Sequence, residues 1–242
     1  LTDDPKQNTI GQGANLKDLF YKPVKIQDKE DNIFFWSDMH LGQECRSWDE
    51  PLYAKRGFSS LEEHDSSLVK RWNEKISQKS TIFNLGDMLF GHDGERRLLN
   101  YFQILNFKTM YLLFGNHNAG IKQVFDRLEE NELQINSEKK VVFCPSYLEA
   151  VVNGTMCVLS HYAIASFNKQ GKGAFMIHGH SHGNLYGSEM GKVLYKARVV
   201  DVGVERYPSP PSFKEIKEKF KNDPVSFDHH GFSEHSCERS RG

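Results

Sequence analysis

Ile33-Phe34-Phe35-Trp36-Ser37-Asp38-Met39-His40 is an apolar run followed at once by a carboxylate and an imidazole two residues apart. Four consecutive large apolar residues, bounded by polar sequence, read as a short buried strand. Metal-ligand residue types immediately after it belong at the carboxyl end of that strand, where α/β proteins build their sites. The same grammar recurs further along. Met110-Tyr111-Leu112-Leu113-Phe114 runs into Gly115-Asn116-His117-Asn118, and Phe175-Met176-Ile177 leads to Gly179-His180-Ser181-His182. Gly86-Asp87 and Ser160-His161 supply two further pieces. The fold class expected from strands of this kind alternating with helical segments is α/β.

Helical signals stand between these pieces. Ser60-Leu61-Glu62-Glu63 has the form of a capping box, with Leu61, Leu68, Trp72 and Ile76 at helical spacing behind it. Leu98, Leu99, Phe102 and Leu105 mark a second helix, and Ile121, Val124, Phe125 and Leu128 a third. Asn153-Gly154 between two apolar runs predicts a tight hairpin, and Val193 to Val204 reads as another β-branched run after a loop at 184–191. Ser212 to Glu215 is a second capping box, opening a helix through Lys221. These punctuations divide the chain into an N-terminal appendage (1–31), a central domain (32–207), and a C-terminal helix with a flexible tail (208–242). No internal repeat is present.

Asp38 and His40, at i and i+2, leave a strand end on the same side and can reach one metal ion. Asp87, alone after Gly86, suits a bridge between two ions; Asn116 offers an amide oxygen. His180 and His182 alternate onto one side, and His161 completes a set of seven ligand candidates. Mixed carboxylate, imidazole and amide donors suit two divalent cations and fit manganese, iron, zinc and nickel alike; manganese is the first expectation.

The motif order D-x-H, GD, GNH, a lone His and GHxH resembles the calcineurin-like metallophosphoesterase superfamily over roughly residues 33–204. The resemblance is closest to its small bacterial and phage phosphoesterases, through Ser37 to Gly42, Arg56-Gly57-Phe58, Leu61-Glu62-Glu63, Trp72-Asn73 and Leu85-Gly86-Asp87. It implies a four-layer α/β/β/α sandwich of two mixed sheets. It also implies one metal on Asp38, His40, Asp87 and His182 and another on Asp87, Asn116, His161 and His180. The implied reaction is hydrolysis of a phosphomonoester or phosphodiester by a metal-bridging hydroxide, with His117 as general acid. Arg56 and Arg46 are the candidates for clamping substrate oxygens. Departures from the pattern are Gln43, Gly57 and Asn118. The second aspartate of G-D-x-x-D-R is also missing, because Phe90 and Gly91 occupy its place; Asp93 is the candidate to orient His117 in its stead.

His178 is expected behind the site rather than in it, His64 and His92 at the surface, and Phe58, Phe90 and Tyr186 around a substrate pocket. The histidines at 229, 230 and 235 belong to the tail, without metal-ligand spacing. Net charge is −1, so nothing advertises nucleic-acid binding, and the expected partner is a small phosphorylated molecule. The four cysteines (Cys45, Cys144, Cys157, Cys237) show no C-x-x-C pairing and read as reduced thiols. No run approaches the roughly 18 apolar residues of a membrane span. The opening Leu1-Thr2-Asp3-Asp4-Pro5 lacks the features of a signal peptide, and a cytoplasmic enzyme is expected. The alternatives are a nuclease of the same superfamily and a non-catalytic interaction module on the same fold. A structural metal protein fits poorly, since such sites are closed and cysteine-rich.

Overall fold

Residues 22–44, 50–90, 94–117 and 119–222 are described by a computed structural model. The fold is α/β, with two five-stranded mixed sheets and flanking helices. In the first sheet, β2 (Ile33–Trp36), β3 (Thr81–Asn84), β4 (Thr109–Leu113) and β6 (Lys139–Cys144) run parallel in that order, with β5 (Glu132–Asn136) antiparallel at the edge. The second has the order β1 (Val24–Ile26), β7 (Tyr147–Val152), β8 (Thr155–Ser160), β9 (Phe175–His178) and β10 (Val199–Asp201). Only the β7–β8 pair is antiparallel there, closed by the Asn153-Gly154 hairpin, where Asn153 at φ 48° and Gly154 at φ 83° supply the left-handed turn.

The apolar run at β2 is continuous because both of its faces are covered. Ile33 and Phe35 join a cluster that includes Phe83, Leu113 and Val142 from the first sheet and Leu159, Ile177 and Val200 from the second. Phe34 and Trp36 face the other way, into a cluster with Leu68, Trp72, Leu98, Phe102 and Ile121 from the helices. Those helices are α2 (Leu61–Lys75), α3 (Gly94–Ile104) and α4 (Ala119–Phe125), α1 being the short Leu52–Lys55. A third cluster puts Met176 and Val158 of the second sheet with Leu194 of α5 (Glu189–Lys196). The tryptophan indoles find partners inside: Trp36 Nε1 donates to Tyr207 O and Trp72 Nε1 to Asn106 O, each at 2.8 Å. Cys144 and Cys157 are buried free thiols whose pKa burial raises above the ordinary range. No described helix is long and apolar enough to cross a membrane.

Four details differ from the sequence reading. The segment assigned to the appendage contains β1, which pairs in parallel with β7 and so belongs to the second sheet. The run Val193 to Val204 is not one strand: Ser188 caps α5 by accepting from Gly191 N, the helix continues to Lys196, and β10 follows only from Val199. Val193 is exposed and Leu194 buried, the helical sidedness that β-branched composition concealed. At α2 the capping box is half formed, since Ser60 accepts from Glu63 N while the Glu63 carboxylate takes Ser59 N and Oγ. His64 is buried rather than at the surface, because it stands on the same stripe as Leu68 and Trp72. The box at Ser212 is complete, and it opens α6 (Phe213–Lys219), which is anchored in the inter-sheet cluster by Phe213 and Ile216.

Candidate functional site

Five parallel strands, three neighbours in the first sheet and two in the second, deliver the candidate residues from their carboxyl ends. Asp38 and His40 follow β2, Asp87 follows β3, and Asn116 and His117 follow β4. His161 follows β8, and His180 and His182 follow β9. The two sheets meet at this end, where Ser37 and Gly203 form a parallel bridge just beyond β2 and β10. Backbone bonds fasten the first two motifs together: Asp38 N donates to Gly86 O at 3.2 Å and His40 N to Asp87 O at 2.9 Å.

All seven expected ligands converge. Asp38, His40 and His182 place ligand-type atoms within 4.8 Å of one another, and so do Asp38, Asp87 and His161. Asp87 Oδ2 lies 3.4 Å from His161 Nε2 and 3.8 Å from His40 Nε2, between the two groups. Asn116 Oδ1 lies 2.8 Å from His161 Nε2 and 2.9 Å from His180 Nδ1. Asp38 belongs to both groups by distance, which the pattern of the sequence did not anticipate. Asp38, His40, Asp87 and His161 form a buried floor, while Asn116 and His180 are exposed at the rim.

Backbone conformation is unusual here. Asp38, His40, Asp87, His180 and His182 all have left-handed φ, between 47° and 67°. Left-handed backbone is uncommon for residues with a Cβ, and clusters of it mark places where side-chain direction overrides local preference. Two motif glycines have an equally local reason. A Cβ on Gly115 would press on Asp87 Oδ1 and lie 2.8 Å from Asp87 N, and one on Gly179 would press on Ser37 Oγ and reach 2.5 Å from Asp38 Oδ2.

The electrostatics fit a cation. His161 Nδ1 lies 2.8 Å from Leu85 O, which can only accept, so Nδ1 carries a proton. The Nε2 side of the ring then faces two oxygens, Asp87 Oδ2 and Asn116 Oδ1. A positive species between them, a proton on the ring or a metal ion in its place, satisfies that arrangement. Burial would lower the His161 pKa, but the Asp87 hydrogen bond and charge outweigh it and the pKa is raised. In Asp87, burial is likewise outweighed by His161 and by the His117 N–H, and the carboxyl sits at about 2. Burial pushes Asp38 up to about 6 and His40 down to about 3, so the His40 ring is neutral. Both His40 nitrogens are buried without a hydrogen-bond partner. Unpartnered buried imidazole nitrogens are costly unless something occupies their lone pair.

Around this centre stand residues that sequence patterns did not single out. Glu205 Oε1 accepts from His182 Nδ1 at 2.7 Å, which leaves Nε2 of that ring for the site. The same oxygen accepts from Arg56 Nε at 2.9 Å and Nη2 at 2.7 Å. Arg56 also donates to Met39 O at 3.0 Å and Asp38 O at 2.7 Å, and its Nη1 lies 2.9 Å from His64 Nε2. All five guanidinium N–H groups therefore have partners, and the side chain is 5% exposed. Arg56 is thus a brace for the Asp38 and His182 loops, not a free clamp for substrate oxygens; the expectation that it binds substrate is corrected by these contacts. Asp201 ties the last loop down, accepting from Ser181 Oγ at 2.5 Å and Gly183 N at 3.1 Å. A lone Glu in Val204-Glu205-Arg206 carries no spacing signal, and Glu205 was not legible without the fold.

His117 donates its backbone N–H to Asp87 Oδ1 at 2.8 Å, and its ring packs 4.8 Å from Phe90 and 5.5 Å from His40. Phe90 therefore does flank the site. Phe58 instead packs edge-on against His64, and Tyr186 braces β10 by donating to Val199 O and accepting from Asp201 N. His178 is buried behind the site with Nδ1 2.8 Å from Gly179 O. Arg46, His92, Asp93, Asn118 and the tail histidines lie outside the described residues.

No protein-family model matches the chain. It is similar to the uncharacterized protein MJ1445 of Methanocaldococcus jannaschii, 24% identical over 153 residues, covering 63% of this chain and 72% of that one. It is also 24% identical over 205 residues to the Gene 66 protein of Mycobacterium phage D29, covering 77% of this chain and 94% of the phage protein. Among solved structures it resembles the protein of unknown function AQ665 from Aquifex aeolicus, with a TM-score of 0.54 at 18% identity, over 77% of this chain and 98% of that one. That likeness concerns the fold alone.

Proposed function

We propose that this chain is a dinuclear metal-dependent phosphoesterase built as a four-layer α/β/β/α sandwich. The layering is supported by the three apolar clusters, one shared by both sheets and one on the helix-covered side of each. The function rests chiefly on one observation: His40, whose ring nitrogens are both buried without a hydrogen-bond partner, and His161 each turn Nε2 toward the same Asp87 oxygen. Asp38, His40, Asp87 and His182 would hold one divalent cation, and Asp87, Asn116, His161 and His180 the other, manganese being the first choice. Two such cations supply Lewis-acid stabilisation of phosphoryl oxygen charge and activation of a water nucleophile.

The chain's own residues do the rest. Asp87 presents one oxygen toward both ligand groups while the other is pinned by the His117 N–H, so the carboxylate cannot rotate away. Glu205 and Leu85 O fix the ring orientations of His182 and His161. His117, packed against both Phe90 and His40, is the group to hand a proton to the leaving oxygen. Phe90 covers one side of that imidazole with an edge-type ring contact.

The test is hydrolysis of p-nitrophenyl phosphate and its bis ester with Mn²⁺, Ni²⁺ and Mg²⁺, with metal content measured in parallel. Asp87→Ala should lose both turnover and metal. His117→Ala should keep its metal and turn over about 10²–10⁴-fold more slowly. An active protein in which Asp87→Ala is as fast as wild type, or a wild type inert with every ester and every metal, would refute the reading.

A further inference from the structure

The exposed large apolar residues Ile104, Tyr147, Tyr162, Met190 and Val193 are mostly ordinary scattered surface groups. Tyr162 differs, because among these five it is the one whose ring touches candidate ligands. Its centroid lies 4.5 Å from that of His180 and 5.1 Å from that of His161, both edge-type contacts, and the residue is still 44% exposed. Its backbone is well fixed: Tyr162 N donates to Ser160 Oγ at 3.3 Å, and the preceding His161 bonds through N to Ser146 O and through O to Gly179 N. Phe90 contacts the other part of the set, His117 and His40, and neither His161 nor His180. Each half of the site therefore has its own aromatic ring beside it.

We infer that Tyr162 is a specificity-determining residue, a platform on which a planar aromatic group of the substrate rests while its phosphoryl group occupies the ligand cluster. The substrate class is then a phosphoester that carries a nucleobase or an aryl ring rather than an alkyl or sugar phosphate alone. This inference rests on the phosphoesterase reading for the placement of the phosphoryl group. The physical basis is sequence-tolerant: an aromatic side chain with an accessible face gains by stacking on any flat π system, typically enough to change affinity by about tenfold or more.

Binding without turnover separates the two claims. Mn²⁺-loaded protein is titrated calorimetrically with methylphosphonate, phenylphosphonate and 5′-deoxyadenosine 5′-methylphosphonate, which carry similar charge and no cleavable phosphoester. At least one planar ligand should bind about tenfold more tightly than methylphosphonate. Preference for the adenosine compound would point to nucleoside esters, and preference for the phenyl compound alone to aryl esters. Tyr162→Phe should keep that ratio, whereas Tyr162→Ala and Tyr162→Leu should bring it close to one. Equal binding of all three ligands by wild type, no binding of any, a ratio that survives in Tyr162→Ala, or its loss in Tyr162→Phe would overturn the proposal. Turnover of p-nitrophenyl phosphate with no planar preference would sink this inference and leave the enzyme reading intact; planar preference without turnover of any ester would do the reverse.

Discussion

Glu205→Gln is the substitution that most directly probes how the site is held. One oxygen of this carboxylate receives His182 Nδ1, Arg56 Nε and Arg56 Nη2, all within 2.9 Å. Burial alone would raise its pKa, but the His182 hydrogen bond and the Arg56 charge prevail and hold it at about 2. The amide keeps the shape and removes the charge, so the His182 ring becomes less basic and less firmly oriented. Loss of such an outer partner costs roughly 10–100-fold in metal affinity, about 1.4–2.8 kcal/mol. Glu205→Ala goes further, since it strands a guanidinium that is 5% exposed and deprives it of its only described carboxylate neighbour. The cost of breaking a buried pair is about 3–5 kcal/mol, and the two backbone carbonyls that also hold Arg56 place this case near the lower end. Titration with Mn²⁺ followed by calorimetry reads the first effect, and urea unfolding of the metal-free protein reads the second. If Glu205→Gln binds Mn²⁺ as wild type does, and Glu205→Ala unfolds at the wild-type urea concentration, the bracing argument is wrong.

Gly115→Ala should disorder the centre from behind, because its methyl group would press on Asp87; spectroscopic titration should show metal affinity reduced at least tenfold while far-UV circular dichroism is retained. Metal uptake should weaken on acidification. A cation would need Asp38 ionised and His161 free of its Nε2 proton. Burial has lifted the Asp38 pKa to about 6 and, against the effect of burial, Asp87 raises that of His161. Affinity should therefore fall at least about tenfold between pH 7 and pH 5, with more proton release on binding at pH 5 than at pH 7. Ser212→Ala removes one half of the complete capping box and should cost about 1 kcal/mol in urea unfolding. An unchanged midpoint would mean that α6 is held by its packing and by the Lys75–Glu215 and Lys217–Glu30 ion pairs without help from the cap.

The parts of this protein that were legible in sequence are those where chemistry and local structure are adjacent in the chain. Ile33 to His40 encodes a strand and two candidate donors in eight residues, and the α/β class with candidate ligands at its strand ends follows from such pieces. Contacts between distant segments left no such trace. Glu205 meets Arg56 across 149 positions, and neither residue stands in a pattern that announces the other. Arg56 looked like a free cation because a sequence shows charge and hides the carbonyls of Asp38 and Met39 that absorb it. His64 was misplaced for a related reason: its polarity outweighed its position four residues before Leu68, which put it on the buried stripe. The strand expected at Val193 gave way to a helix because the Ser188 cap and the burial of Leu194 outweigh β-branched preference.

The left-handed backbone at Asp38, His40, Asp87, His180 and His182 also bears on how such a protein could be made hardier. Glycine at any of these positions would relieve up to about 1 kcal/mol of backbone strain, but at Asp38 and Asp87 it would strand the His180 and His117 N–H groups, which costs at least as much. A search for heat-resistant variants that did not select for an intact cluster would therefore reach His180, on the exposed rim, before the buried floor, and the site would erode from its open edge inward.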